Sequence, residues 1–88
     1  MDVSVVIPAK NEASNVAPLI ARLAKVGQNW ARFEVIFVDD GSSDGTARAL
    51  YESKYGYAWV RVLQHQDAAG QSAAIHSGAS AALYPVIA

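Results

Sequence analysis

Short apolar runs rich in β-branched residues alternate along the chain with longer segments whose apolar residues recur at helical spacing. The apolar runs predict strands at 3–7, 33–38 and 60–63, and the opening of a fourth at 86–88. The longer segments predict three helices, one ending at Gly27, one from Gly45 or Thr46 to Gly56, and one from Gln71 to Ala82. Strands that alternate with helices in this way predict an α/β fold, with a Rossmann-like three-layer α/β/α parallel sheet.

Several single residues predict where these elements begin and end. Pro8 is expected to end the first strand, because proline cannot donate a hydrogen bond to the ladder. Ser14 or Asn15 is expected to cap the first helix, with Pro18 tolerated in its first turn. Asp44 is placed to accept from the free amides of the second helix, so a capping role is expected for it.

The composition is that of a globular chain and excludes several classes of protein. Of the 88 residues, 52% are hydrophobic and 17% are charged, and no apolar run approaches the roughly 20 residues of a membrane helix. The absence of cysteine excludes disulfides and thiolate metal sites, and His65 and His76 are too few to make a metal site. A net charge of -1 gives no electrostatic footprint for nucleic acid. No secretion signal is recognisable at the N-terminus, so a cytoplasmic location is expected.

Polar residues follow three of the predicted strands, at 8–12, 39–44 and 65–71. The carboxyl ends of parallel strands share one edge of a sheet, which is where ligands bind in open α/β folds. Asp39 and Asp40 are adjacent carboxylates after an apolar strand, and such a pair needs water, a cation or hydrogen-bond donors to compensate it. Asp40 is therefore expected to accept from a nucleobase or ribose, whereas Asp39 is also explained by turn hydrogen bonds.

Three residues of the other two loops have both a functional and a structural interpretation. Lys10 can meet a phosphate or remain solvated, and Glu12 can accept from a ribose or favour a helix start through the helix dipole. Gly70 can open the third helix toward an anion or serve only as a loop residue. Trp30 and Trp59 precede strands at the opposite edge and are expected to be packing residues.

Two familiar nucleotide-related folds fit these loops poorly. A phosphate-accepting receiver domain needs a carboxylate at the tip of a further strand, and the third strand ends in Gln64 and His65 instead. A dinucleotide-binding fold needs a glycine-rich first turn, and residues 8–12 contain no glycine.

Three segments together resemble family 2 glycosyltransferases with the GT-A fold. Residues 4–12 read SVVIPAKNE, residues 38–46 read VDDGSSDGT, and residues 70–74 read GQSAA with a further glycine at Gly78. The resemblance covers essentially the whole chain. The third segment is similar to the version found in the dolichol-phosphate mannosyltransferase-like members of the family. It implies that residues 1–88 form the N-terminal, nucleotide-sugar-binding subdomain of a GT-A enzyme. The implied nucleotide-binding residues are Pro8, Lys10, Glu12, Asp39, Asp40, Gly70 and Gln71.

The resemblance also implies what lies outside this segment. Family members transfer a sugar from UDP-sugar or GDP-mannose to an acceptor such as a polyprenyl phosphate, and the parent protein can be membrane-associated. They hold Mg²⁺ or Mn²⁺ on carboxylates that follow the fourth strand, beyond Ala88, and the catalytic base comes later still. These 88 residues are accordingly expected to hold no metal and no catalytic residue, and to be inactive alone. The alternative is a non-catalytic α/β module that binds a ligand or self-associates through its exposed sheet edge.

Overall fold

A computed structural model describes residues 2–87. Within that range the chain forms four strands and three helices, and the four strands make one all-parallel sheet in the order β3-β2-β1-β4. The elements are β1 (Asp2–Ala9), α1 (Ala13–Gly27), β2 (Arg32–Asp40), α2 (Thr46–Ser53), β3 (Val60–His65), α3 (Gln71–Ala81) and β4 (Val86–Ile87). The predicted alternation of strands and helices is confirmed.

The two faces of the sheet carry separate apolar cores, because successive side chains of a strand point to opposite sides. Odd-numbered residues of β1 and β2, such as Val5 and Phe37, pack with α1 and α2. Even-numbered residues, such as Val6 and Ile36, pack with Ala74 of α3. The helices therefore cover both faces and give the predicted three layers, with each fully buried large apolar side chain contributing roughly 1.5–3 kcal/mol.

Strand β1 continues through Pro8 to Ala9, so the prediction that Pro8 ends the strand is wrong. The backbone N–H of Ser4 points toward β4, where it donates to the carbonyl of Pro85 at 2.9 Å. Pro8 is four residues further on, so its nitrogen points to the same side. In the described residues β4 pairs only with Ser4 and Val5, so no ladder bond is lost at Pro8.

Helix α1 begins at Ala13, before both of the predicted caps, Ser14 and Asn15. The side chain of the N-cap residue, Glu12, makes no hydrogen bond to the amides of the helix. Acceptors that follow β2 bond to the N–H groups at this end of the helix instead, as described below. Pro18 consequently lies in the second turn rather than the first.

The other helix ends differ from prediction by a few residues. Helix α2 ends at Ser53, three residues before Gly56, because the following residues form hydrogen-bonded turns. Helix α3 ends at Ala81 rather than Ala82, and the predicted strand residue Ala88 lies outside the described range. None of the helices in residues 2–87 is long and apolar enough to cross a bilayer.

A buried polar cluster lies on the α3 face of the sheet, toward the amino ends of the strands. The Glu34 carboxylate is 4% exposed and accepts from Ser4 Oγ, Arg61 Nη1 and the backbone N–H of Leu83, each at 2.6 Å. Tyr84 N–H donates to Ser4 Oγ at 3.0 Å. Burial by itself would raise the pKa of Glu34, but the hydrogen bonds from Ser4, Arg61 and Leu83 outweigh it and lower the pKa. The cluster thus holds the connection between α3 and β4 against the sheet.

Trp30 and Trp59 pack on either side of Phe33, with ring centroids 5.8 and 5.0 Å from it. Both lie beside the α1/α2 core. The prediction that they are packing residues is confirmed.

Candidate functional site

The strand order places a crevice at the carboxyl edge of the sheet. The chain moves outward from β1 through β2 to β3 and then returns to add β4 on the other side of β1. Helices α1 and α3 cover opposite faces, so the loops that follow β1 and β3 diverge around this point. Ligands of open α/β sheets bind at such a reversal of strand order.

A cleft of about 470 Å³ occupies this position. It is lined by Pro8, Ala9, Lys10, Glu12, Asp40, Ala68, Gly70 and Gln71. Six of the seven residues that the sequence nominated for nucleotide binding therefore share one opening. In particular, Glu12 and Asp40 lie on the same cleft rather than at opposite ends of the sheet.

Asp40 forms one wall of the cleft and is only 6% exposed. Its Oδ1 accepts from the Ala69 N–H at 2.8 Å and from His65 Nδ1 at 2.9 Å, and its Oδ2 accepts from the Gly70 N–H at 2.9 Å. The Ala69 amide and then His65 are the main causes that lower the pKa of Asp40 to about 2, against the opposing effect of burial. The carboxylate is therefore ionised at neutral pH and fixes the loop that precedes α3.

His65 is a functional-site residue that the sequence did not single out. It ends β3 directly opposite Asp40 in the strand register, and its Nε2 lies 3.0 Å from Ser77 Oγ on α3. One imidazole thus joins β2, β3 and α3. The sequence does indicate that Asp40 and His65 each end a strand. Their contact, however, can be predicted only when the register of β2 against β3 is known.

Asp39 is the one nominated residue that does not line the cleft. It is fully buried on the other face of β2, because adjacent residues of a strand point to opposite sides. Its Oδ1 accepts from Ser42 Oγ, and its Oδ2 has no hydrogen-bond partner among the described residues. Asp39 therefore stabilises the turn after β2 through its hydrogen bond with Ser42.

The loop after β2 caps helix α1 across the crevice. Thr46 Oγ1 accepts from the Glu12 N–H at 2.7 Å, and Asp44 Oδ2 accepts from the Ala13 N–H at 3.4 Å. Asp44 Oδ1 also accepts from the Thr46 N–H at 2.9 Å, which confirms its predicted role at the start of α2. The contacts place Glu12 at the rim of the cleft.

Asn11 completes this link between the first two loops. Its backbone has a φ of 53°, a left-handed conformation that asparagine tolerates better than most residues. Its N–H donates to Ser42 Oγ at 2.9 Å, and its Oδ1 accepts from the Ser43 N–H at 2.9 Å. Residues 8–13 and 41–46 consequently form one rigid rim.

Gly41 allows the third loop to approach this rim. Its φ is +73°, and a Cβ at this position would lie 2.7 Å from the backbone nitrogen of Ala68. Both the conformation and the contact exclude a side chain here without strain. The glycine in the turn after Asp40 therefore brings the loop 66–70 over the cleft.

The amino end of α3 opens onto the cleft beside Asp40. Gly70, with a φ of 98°, is its N-cap residue, and the first intrahelical bond of this end runs from the Ala74 N–H to the Gly70 carbonyl. The amides before Ala74 precede that bond and carry the positive end of the helix dipole. Gln71, the first helical residue, lines the cleft. One wall of the cleft is thus an acceptor and another favours an anion.

The sequence profile of Glycosyl transferase family 2 matches residues 4–88, nearly the whole chain. The chain belongs to Glycosyl transferase family 2. Its relatives in the family include the dodecaprenyl-phosphate galacturonate synthase of Rhizobium johnstonii, which is 38% identical over 89% of this chain. The undecaprenyl-phosphate 4-deoxy-4-formamido-L-arabinose transferase of Edwardsiella ictaluri is 39% identical over 86% of this chain.

A solved structure gives the same fold for a glycosyltransferase. The mannosyltransferase PcManGT of Pyrobaculum calidifontis, determined with GDP-Man and Mn²⁺, superposes with a TM-score of 0.81 over 91% of this chain at 24% identity. The architecture is that of the GT-A glycosyltransferases. The chain covers 24% of the length of each of these three proteins, so it corresponds to about a quarter of such an enzyme.

The described residues at the cleft include no group of three side chains that could hold a divalent metal ion. Mg²⁺ and Mn²⁺ take several oxygen ligands, of which one or two are usually carboxylates. In residues 2–87 no three His, Cys, Asp or Glu side chains come together to hold a metal. The Asp40 oxygens already accept three hydrogen bonds. The expected Mg²⁺ or Mn²⁺ of a family 2 enzyme thus finds no ligand set among these residues.

Proposed function

We propose that the cleft binds the nucleotide of a sugar donor through Pro8, Lys10, Glu12, Asp40, Gly70 and Gln71. The observation that carries this proposal is the pairing of a buried, ionised acceptor with the amino end of α3 on one cleft. A nucleotide offers N–H groups on its base and negative charge on its phosphates, and the two walls complement these groups in turn.

Each residue takes a part that its position allows. Asp40 accepts from the base, Glu12 accepts from ribose hydroxyls, and the Lys10 ammonium meets a phosphate. Gly70 and Gln71 close over the nucleotide from the start of α3. Asp39, which the sequence also nominated, acts indirectly by holding Ser42 in the turn.

Of the two donors implied by the resemblance, the hydrogen bonds of Asp40 favour UDP-sugar over GDP-mannose. A carboxylate has about four acceptor positions, and Asp40 already uses two on Oδ1 and one on Oδ2. The remaining position suits the single N–H of the uracil edge. Guanine presents two adjacent donors that need one position on each oxygen.

For the whole protein we propose transfer of a sugar from this donor to a polyprenyl phosphate acceptor at the cytoplasmic face of a membrane. The printed names of two relatives, a dodecaprenyl-phosphate and an undecaprenyl-phosphate enzyme, support that acceptor. PcManGT, whose structure is in complex with Mn²⁺, supports a divalent metal in the complete enzyme. Its ligands and the catalytic base would come from outside residues 2–87, so these residues alone would bind nucleotide without transferring sugar.

Isothermal titration of the 88-residue protein with UDP and with GDP, each with and without Mn²⁺, tests the proposal. We expect binding that Mn²⁺ changes little and that is tighter for UDP. Asp40→Ala should weaken UDP binding by roughly 10–100-fold, since it removes a charged acceptor. Asp67→Ala is the matched control, because Asp67 is an exposed carboxylate in the neighbouring loop. Absence of binding at millimolar UDP and GDP would reject the nucleotide site.

A non-catalytic, self-associating module is the second candidate, and the edge of β4 favours it. Leu83, Val86 and Ile87 are 71%, 40% and 49% exposed, and an uncovered apolar strand edge can pair with another chain. Sedimentation at increasing concentration should therefore detect a dimer, and Ile87→Lys should reduce it. A monomer at high concentration would contradict self-association.

A further inference from the structure

We infer that His65 and Ser77 are positioning residues that set the orientation of the Asp40 carboxylate in the cleft, an inference that rests on the proposed nucleotide site. The three side chains form a hydrogen-bonded chain, with 2.9 Å between Asp40 Oδ1 and His65 Nδ1 and 3.0 Å between His65 Nε2 and Ser77 Oγ. Neither His65 nor Ser77 lines the cleft. They act through Asp40.

The protons of this chain follow from the charge of Asp40. An ionised carboxylate can only accept, and the pKa of Asp40 is lowered to about 2, so His65 Nδ1 must donate. In the neutral imidazole Nε2 is then the acceptor, and the Ser77 hydroxyl donates to it. The two hydrogen bonds are therefore donated in one direction, from Ser77 to His65 and from His65 to Asp40. They select the Nδ1–H tautomer of His65.

This direction fixes which acceptor position of Asp40 remains available. His65 and the Ala69 N–H fill Oδ1, while Oδ2 accepts only from the Gly70 N–H. The terminal torsion of an aspartate is broad, so the carboxylate needs external contacts to hold its plane. Loss of the His65 contact would free one position on Oδ1 and leave the plane of the carboxylate held only by the Ala69 and Gly70 N–H groups. The single position on Oδ2 would then no longer be presented in one orientation to a ligand.

Strand β3 and helix α3 hold the imidazole of His65 in place, so that it can support the Asp40 carboxylate. His65 is the last residue of β3, paired with Asp40 in the register, and its side chain is 22% exposed. Ser77 lies on α3 beside Gly78, which packs against β1 and β2 with no room for a side chain. The imidazole is consequently held between a strand end and a helix in contact with the sheet.

Paired variants with matched controls test this inference. His65→Ala removes the whole link, and Ser77→Ala removes only the donor to Nε2 and keeps a good helix-forming residue. The controls are His76→Ala and Ser80→Ala, which change exposed residues of the same helix. Dissociation constants for UDP are measured by titration, and free energies of unfolding by urea.

We expect the dissociation constant for UDP to rise about 10-fold in His65→Ala and about threefold in Ser77→Ala, as expected for the loss of one charged and one neutral hydrogen bond. Ser77→Ala should lower the free energy of unfolding by no more than about 1 kcal/mol, the loss of one neutral hydrogen bond. His65→Asn, whose amide NH₂ occupies the position of Nδ1 and can still donate to Asp40, should regain part of the affinity. Long-range ¹H–¹⁵N NMR should show the Nδ1–H tautomer for His65.

The outcomes separate this inference from the proposed function. If wild type binds UDP and both His65→Ala and Ser77→Ala bind it equally well, the positioning role is wrong and the nucleotide site stands. An Nε2–H tautomer, or a His65→Asn variant no better than His65→Ala, would also overturn the role. If wild type binds neither UDP nor GDP, the nucleotide site is wrong and the inference fails with it.

Discussion

Replacement of Glu34 by glutamine tests how the buried polar cluster stabilises the fold. The carboxylate accepts from Ser4 and the Leu83 N–H on one oxygen and from Arg61 on the other. Glutamine has nearly the same size but replaces one of these acceptors with an NH₂ group. Whichever oxygen is replaced, a donor then faces a donor in a buried site.

The expected magnitude follows from the burial of the two charged partners. Removing one member of a buried ion pair costs about 3–5 kcal/mol. Arg61 is 37% exposed, whereas the Glu34 side chain is only 5% exposed. Water can therefore compensate part of the loss on the arginine side. We expect the free energy of unfolding to fall by about 2–3 kcal/mol, which lowers the melting temperature of a domain this size by roughly 8–24 °C.

Urea unfolding followed by tryptophan fluorescence measures this change, since Trp30 and Trp59 both pack at Phe33 beside the core. Glu52→Gln is the control, because the exposed pair between Arg48 and Glu52 contributes only about 0.3–0.5 kcal/mol. A loss below about 1 kcal/mol in Glu34→Gln, similar to that of a single neutral hydrogen bond, would refute the reasoning.

Two further predictions concern acid stability and helix packing. The lowered pKa values of Glu34 and Asp40 predict that the free energy of unfolding falls as pH drops below about 4, where the unfolded chain takes up protons first. In acid titrations Asp40→Asn should flatten this fall between the ordinary pKa of 3.8 and about 2, and an unchanged profile would contradict it. Gly78→Ala should destabilise the protein by about 1–3 kcal/mol in urea, because its Cβ would lie 2.3 Å from Val6 Cγ1. Gly56→Ala, with its nearest atom at 3.9 Å, should not.

The sheet and the location of the cleft could be predicted from the sequence because they depend on local patterns. Periods of apolar residues identified every strand and helix, and parallel strands necessarily bring the loops after β1, β2 and β3 to one edge. The expectation that Asp40 rather than Asp39 meets the ligand could not be derived from these apolar periods alone. It depends on which face of β2 each residue occupies, and the sequence pattern is apolar on both faces.

The start of α1, the contacts of His65 and the Glu34 cluster all involve residues far apart in the chain. The start of α1 was misplaced because its acceptors come from residues 31–34 positions away in the chain. His65 was overlooked because its partner, Asp40, is 25 positions away and meets it only through the strand register. The Glu34 carboxylate accepts from residues 27 to 49 positions away in the chain. A pattern within one segment carries no information on these pairs.

The capping of α1 by the loop after β2 has a consequence for the order of folding. Ser42, Asp44 and Thr46 reach the N–H groups of residues 11–13, at the start of α1, only after β1 and β2 have paired. The first helix therefore lacks its complete cap until these two strands have paired, and the rim of the cleft cannot form before that step. Such non-local contacts slow folding, since the intervening loop must close before they form. Only chains in which the rim has folded would thus bind the ligand. A bound ligand would stabilise these folded chains against unfolding.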